Sequence, residues 1–356
     1  MFCEIYLDWY FRDPEGLLVE LNNHLKQFNE ALKDYGENKK ELISPYTAES
    51  LRRVALWNAT GSGKTLLMHV NLLQFRHYLA KHKRSGDINR IVVLTPNEGL
   101  THQHLEEFRQ SGIAAAPFDK NSTGNSTGLF RGQTVDVIDM NKLREAGKKK
   151  TVSVDQFETN NLVFIDEAHR GSQGAVWSEM RSRLAKEGFT FEYSATLGQA
   201  VGSDAALADD YAKSILFDYS YRYFHADGFG KDYQILNIEG QEDSLADGER
   251  RRLYLTACLL SYYQQLRMFD EQQSKYKPFD IAKPLWVFVG SKVTAVRTEN
   301  KKQVSDVVDI LLFLADVVAD RKKTVGHIEK LLSGDTVLLD GRQRDIFAEA
   351  FPYLAR

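Results

Sequence analysis

Gly61-Ser-Gly-Lys-Thr65 stands where a short apolar run, Val54–Trp57, gives way to a long amphipathic stretch, Lys64–Lys83. A buried strand, a tight glycine turn and a helix in that order restrict the chain more than any other feature. The glycines let the backbone curl until successive N–H groups point to one spot, and the helix that follows adds the positive end of its dipole. Such a turn is built for phosphate. Lys64 has the reach and charge for the β- and γ-phosphates of a nucleotide, and the Thr65 hydroxyl suits Mg²⁺. The usual pattern starts with Gly; here Asn58 takes that place.

The same rhythm continues along the chain. Ile91–Leu94, Val135–Ile138, Leu162–Ile165 and Thr190–Tyr193 read as strands, and Leu100–Gln110 and Val176–Lys186 as helices. Continuous β-branched runs joined by helices indicate buried parallel strands with helices on both faces of the sheet, an α/β fold. Residues 1–50 read as helical, with Leu17, Leu18, Leu21, Leu25 and Phe28 at helical spacing. Asn121–Gly128 reads as an exposed loop. After Ser214 the alternating Phe217, Tyr219, Tyr221 and Tyr223 predict a half-buried strand, Gln234–Ile238 another, and Leu245–Gln273 a long helix. Pro278 and Pro284 bracket a linker. Leu285–Gly290 reads as a strand opening a second α/β unit, with helices at Val304–Arg321 and Gly326–Leu332. The divisions that follow are 1–50, 51–225, 226–281 and 282–356.

Leu162-Val-Phe-Ile-Asp-Glu-Ala-His169 supplies the other half of a nucleotide site about a hundred residues downstream. Four apolar residues bury a strand and the acids emerge at its carboxyl end, where open α/β sheets hold their ligands. Asp166 is placed for the Mg²⁺ shell, and Glu167 to orient and deprotonate an attacking water.

Thr60–Thr65, Asp166–His169 and Ser194-Ala-Thr196 resemble motifs I, II and III of superfamily 2 helicases and translocases, in the right order. Leu94–Leu100 is similar to motif Ia, and Leu285–Ser291 to motif IV, which opens the second RecA-like domain. The forms Asp166-Glu-Ala-His-Arg-Gly171 and Phe191–Thr196 look most like the Res subunits of type III restriction enzymes, with type I motor subunits next. The resemblance implies a RecA-like P-loop NTPase domain plus the beginning of a second one. It also implies roles: Thr60, Gly61, Ser62, Gly63, Lys64 and Thr65 on ATP; Lys64, Asp166 and Glu167 in catalysis; Thr65 and Asp166 on Mg²⁺. His169, Ser194 and Thr196 would couple the two sites. Thr95 and Asn97 would touch a phosphodiester backbone, which positions a strand without reading it.

The activity so implied is ATP-dependent DNA translocation in a restriction or phage-defence system, with a Mod-type DNA methyltransferase as a partner. An RNA helicase of the same superfamily stays open, although Ser44–Ser50 lacks the glutamine expected of an adenine-reading motif. So does an ATP-binding module with little motor activity. Residues 292–356 hold no convincing motif V or VI; Arg342 and Arg344 come too soon. The chain therefore reads as the front part of a longer protein, with weak hydrolysis of its own.

Composition narrows the remaining classes. A net charge of −3 gives no overall basic field for nucleic acid, so a binding groove must be locally basic. Cys3 and Cys258 are too far apart in sequence for a zinc spacing, and they suggest no disulfide framework, which fits a reducing cytoplasm. The start of the chain lacks a signal peptide's apolar core. Val307–Val318 is too short and too charged to span a bilayer. Three features read as structural: the Phe217–Tyr223 aromatics as strand packing, Lys148-Lys-Lys150 as a solvated turn, and His102 and His104 as helix surface without metal.

Overall fold

The strongest apolar runs are strands, each within a residue or so of the expected bounds: β1 (Arg53–Asn58), β2 (Arg90–Thr95), β4 (Val135–Asp139), β5 (Asn161–Asp166) and β6 (Phe189–Ser194). Two shorter strands join them, β3 (Ala115–Pro117) and β7 (Ile215–Tyr219). The computed structural model describes residues 1–34, 42–118, 134–142, 157, 159–168, 183–202, 204–230, 247–288, 297–299, 302–304, 306–332 and 351–354. They fall into two units, Met1–Asp232 and Tyr233–Arg356.

In the first unit the seven strands form one sheet in the order β3-β4-β2-β5-β6-β1-β7, and every pairing is parallel. Register aligns the carboxyl ends. Trp57 pairs with Ser194, Asp166 with Tyr193, and Leu94 with Ile165. The last residues of β1, β6, β5 and β2 therefore emerge in a row along one edge of the sheet.

Alternate residues of each strand serve opposite faces. Val54, Leu56, Ile91, Val93, Leu162 and Phe164 go to one core, and Ala55, Val92, Leu94, Val163 and Ile165 to the other. The first face is covered by α1 (Phe2–Arg12), α3 (Lys64–Lys81) and α4 (Glu98–Gln110), through Leu7, Phe11, Met68, Leu72, Phe75 and Phe108. The second is covered by Leu197 of α5 (Leu197–Val201) and Tyr211 of α6 (Ala205–Ser214). Each such side chain contributes about 1.5–3 kcal/mol on burial. The unit is thus an α/β sheet with helices on both faces, the RecA-like arrangement.

The amino-terminal region is helical over α1 and α2 (Pro14–Asp34). Asn22 and Asn29 of α2 bond in both directions to the backbone of Tyr46 and Ile43, holding that segment alongside the helix. Asp8 ties α1 to the end of the α3 segment through Lys81 and His82, both at 2.8 Å. Those two partners, Lys81 first, lower the Asp8 carboxyl from 3.8 to about 2. A depressed carboxylate contributes stability that is present above its unfolded value and is lost as pH falls through its folded one. Asp8→Asn should flatten the acid limb of the stability curve between 3.8 and about 2, with only a small change near neutrality, as a partly exposed ion pair contributes little. Thermal melts across that pH range check it.

Two expectations are corrected. The aromatic strand ends at Tyr219, and Tyr221 and Tyr223 lie on the short helix α7 (Tyr221–Ala226). The reason is the neighbour: β7 pairs with β1 only as far as Asn58–Tyr219, where the phosphate loop takes β1 away. Residues 285–288 form no strand. Leu285 and Val287 are exposed, at 81% and 66%, and among the described residues no strand pairs with them. Trp286 instead packs on Tyr262 and Phe288.

In the second unit the long helix α8 (Asp247–Glu271) runs close to its expected span and is followed by α9 (Gln273–Tyr276). A small antiparallel pair, β8 (Arg297–Glu299) with β9 (Lys302–Val304), precedes α10 (Asp306–Ala319) and α11 (Arg321–Leu332). Asn121–Gly128, Lys148–Lys150, Gln234–Ile238, Arg342, Arg344 and all but the end of Val176–Lys186 lie outside the described residues. Among the described residues no helix is long and apolar enough to cross a membrane.

Candidate nucleotide site

β1 ends at Asn58, and the next residue is fixed by the neighbouring strand: Ala59 N–H donates to Tyr219 O at 2.9 Å. Ser62 closes the turn, its N–H and hydroxyl both donating to Ala59 O, at 3.1 and 2.7 Å. Gly61 and Gly63 take φ of 83° and 89°. A Cβ at either would meet nothing within 4 Å, so glycine is required there by backbone conformation rather than by space. Gly63 is the N-cap of α3 and brings no capping side chain. The first N–H groups of an 18-residue helix are therefore left for a ligand, as phosphate requires. Thr60 through Gly63 form the turn, and Lys64 and Thr65 open α3 directly after it. Asn58 is buried, and its Oδ1 has no hydrogen-bond partner.

The acids enter from β5, beyond β6 from β1. Asp166 is the last residue of β5, and Glu167 follows with φ 51°, left-handed backbone that a non-glycine residue adopts at a cost of about 1–3 kcal/mol. That turn redirects the chain, and Glu167 Oε1 accepts a bond from Lys64 Nζ at 2.8 Å. The two halves read from sequence thus meet in one contact, half-buried on both sides.

Asp166 is itself buried and bonded at both oxygens. Oδ1 accepts from Glu167 N–H at 3.0 Å, and Oδ2 lies 3.0 Å from His104 Nε2. Burial alone would raise its carboxyl. The His104 bond, the nearby Lys64 charge and the Glu167 N–H together outweigh that and hold it below the ordinary carboxylate value. His104 was expected on the surface of its helix and is not: it is 2% exposed, whereas His102 is exposed as expected. The signal was in the spacing. Thr101, His104 and Phe108 are the buried residues of α4, a single inward stripe.

β6 lies between the two halves and carries Ser194 at its end. Ser194 Oγ accepts from Thr196 N–H at 3.0 Å, and Thr196 Oγ1 is buried with no partner. Trp57 Nε1 donates to Ala195 O at 2.9 Å, and Asn71 of α3 donates to the buried Tyr193 hydroxyl at 2.8 Å. The strand and helix flanking the phosphate loop are therefore both bonded to the segment bearing Ser194 and Thr196. His169 lies outside the described residues.

Thr95 is fully buried, and its hydroxyl faces Thr101 Oγ1 at 2.6 Å. Asn97 is exposed and caps α4, its Oδ1 accepting from Leu100 N–H. Among the described residues no group of three or more His, Cys, Asp or Glu side chains is placed to hold a metal ion.

A family model for the type III restriction enzyme, res subunit, ResIII, matches residues 19–199, half of the chain and all of the site just described. The chain belongs to the ResIII family. With that, the likeness to superfamily 2 proteins of the Res type holds. Among curated proteins, this ResIII chain is similar to the type I restriction enzyme SsaAORF53P endonuclease subunit of Staphylococcus saprophyticus. Identity there is 24% over 231 residues, covering 61% of this chain and 24% of the relative. It is also similar to the SauCOLORF180P endonuclease subunit of Staphylococcus aureus strain COL, 29% identical over 166 residues, 45% of this chain and 16% of that one. The chain spans a quarter or less of the length of these relatives. Solved structures it matches include the Pyrococcus furiosus Hef helicase domain, with 13% identity, TM-score 0.33 and coverage of 71% of this chain and 50% of that one. T4 UvsW matches with 17% identity, TM-score 0.30 and coverage of 69% and 49%.

Proposed function

We propose that this ResIII chain is the ATP-hydrolysing motor portion of a restriction or phage-defence system, acting on DNA. One observation carries the reading: the Lys64–Glu167 contact, which brings the phosphate-loop cation and the acid that follows β5 to 2.8 Å of each other. In the nucleotide-bound state Lys64 leaves Glu167 for the β- and γ-phosphates. Glu167 is then free to orient the attacking water and accept its proton.

Thr65 and Asp166 suit Mg²⁺. A hydroxyl and an ionised carboxylate are hard oxygen donors, and this cation takes one or two carboxylates together with substrate phosphates. The ion would neutralise charge on the phosphates. Ser194 and Thr196 would pass nucleotide state to the track, by way of the Trp57 and Asn71 bonds. On the track side, Asn97 has the exposed side chain for a phosphodiester contact, and Thr95 serves the turn beneath it. The restriction-enzyme relatives support a nucleic-acid track and further subunits; DNA as that track and a Mod-type methyltransferase as partner belong to the proposal.

The test is ATP turnover with and without duplex DNA and with RNA as competitor, for the wild type and Lys64→Ala. DNA should stimulate turnover. The substitution should cost a factor of about 10–150, since a charge-assisted hydrogen bond contributes about 1.5–3 kcal/mol. Absence of stimulation together with an unaffected Lys64→Ala chain would sink the reading.

A further inference from the structure

His104 has a place in this site that the motifs do not assign. Its ring is buried, Nε2 lies 3.0 Å from Asp166 Oδ2, and Nδ1 is buried with no partner. The pattern selects a tautomer. A carboxylate accepts, so Nε2 carries the hydrogen and donates. Nδ1 then holds a lone pair, so the ring strands no second donor in the core.

The other oxygen of Asp166 takes the Glu167 N–H, so the plane of the carboxylate is held from two directions. The helix bearing His104 is anchored as well. Thr101 meets Thr95 at the end of β2, and Asn141 Nδ2 donates to Pro96 O at 3.0 Å. Phe108 packs beside both His104 and His69, and His69 is bonded to Ser111 just past α4. The ring is thus fixed in place before any ligand arrives.

We propose that His104 is a positioning residue: it donates from Nε2 to Asp166 Oδ2 and so fixes which carboxylate lone pairs face the metal of the nucleotide complex. This deepens the nucleotide-site reading and rests on it. Partners in this position commonly change metal affinity by about 10–100-fold when removed.

The test compares wild type, His104→Gln, His104→Leu, Asp166→Asn and the His104→Leu/Asp166→Asn pair, in the full chain. Two quantities are read: Mn²⁺ affinity by electron paramagnetic resonance in the presence of ADP, and affinity for a fluorescent ADP analogue with and without Mg²⁺. His104→Leu should weaken Mn²⁺ binding by about 10-fold or more and leave metal-free nucleotide affinity unchanged. His104→Gln, which keeps a donor near the Nε2 position, should recover most of the loss. In the Asp166→Asn background His104→Leu should have no further effect.

Should His104→Leu unfold, His104→Gln with near-native metal affinity and His104→Asn, with a donor too short to reach, with weakened affinity carry the same comparison. Wild-type metal affinity in every folded His104 variant, alongside nucleotide binding that Lys64→Ala weakens, would overturn the inference alone. No Mg²⁺-dependent nucleotide binding by the wild type would overturn the function reading and this inference with it.

Discussion

Glu167→Gln should lower ATP turnover by about 10²–10⁴-fold, the usual contribution of a positioned general base, and should at the same time tighten ATP binding. The second half of that expectation comes from the geometry. Lys64 Nζ sits on Glu167 Oε1 at 2.8 Å in a half-buried setting. On the proposed reading ATP draws the lysine away, so each binding event would give up that charge-assisted bond. Glutamine preserves the side-chain shape, holds Lys64 less strongly, and takes no proton from water. Rapid-quench turnover and equilibrium titration with a fluorescent ATP analogue separate the two effects. Turnover within a few-fold of wild type would remove Glu167 from the chemistry. Lower turnover with weaker binding would show that the Lys64–Glu167 contact organises the loop for the nucleotide instead of competing with it.

Arg53→Met should be the most damaging change in the sheet. Glu192 is fully buried in the middle of β6. Arg53 of β1 binds it through two nitrogens, at 2.7 and 3.2 Å, and the Tyr211 hydroxyl donates to it at 2.9 Å. The guanidinium also lies over the Tyr211 ring, 4.6 Å from its centre. Removing the arginine leaves an uncompensated carboxylate in the core, at a cost of about 3–5 kcal/mol. In a domain of this size that is roughly 10 °C in Tm. The Arg53→Met/Glu192→Met double variant should regain most of the loss, because no charge is then stranded. Denaturant unfolding of the four chains forms the cycle, and equal destabilisation of single and double variants would contradict the account.

Much of the geometry of the candidate site was legible in the sequence because its parts are local. The turn at Gly61–Gly63 needs positive φ, which only glycine adopts freely, so it shows in any reading. The runs ending at Leu94, Ile165 and Tyr193 showed because strands buried on both faces are made mostly of apolar residues. What was missed depends on partners far away in the chain. β3 is Ala115-Ala-Pro117, with too little side chain to mark a strand. Leu285–Phe288 has a strand's composition, but pairing is a property of the neighbour and not of the run. His104 looked like surface because its partner, Asp166, lies 62 residues on. Glu192 was a warning of the same kind: an acid between Phe191 and Tyr193 in a wholly buried strand demands a cation, and Arg53 was available at the start of β1.

The strand order has a consequence for how the protein is made. Lys64 and Glu167 are both synthesised before β6, yet β1 and β5 do not pair with each other; β6 fills the gap between them. Neighbouring strands lie about 4.8 Å apart, so the sheet fixes the separation of the two halves only once β6 has inserted. A nascent chain that has reached Glu187 carries every nucleotide-site residue named on the phosphate loop and after β5, and still lacks the site. It also presents long, apolar, unpaired edges on β5 and on both sides of β1, whose other partner β7 is still to come, the condition most prone to aggregate. Six residues, Phe189–Ser194, close the edge of β5 and the facing edge of β1 at once, and β7 then closes the other side of β1. Until β6 is in place, the edges it will occupy are open to pairing with another chain.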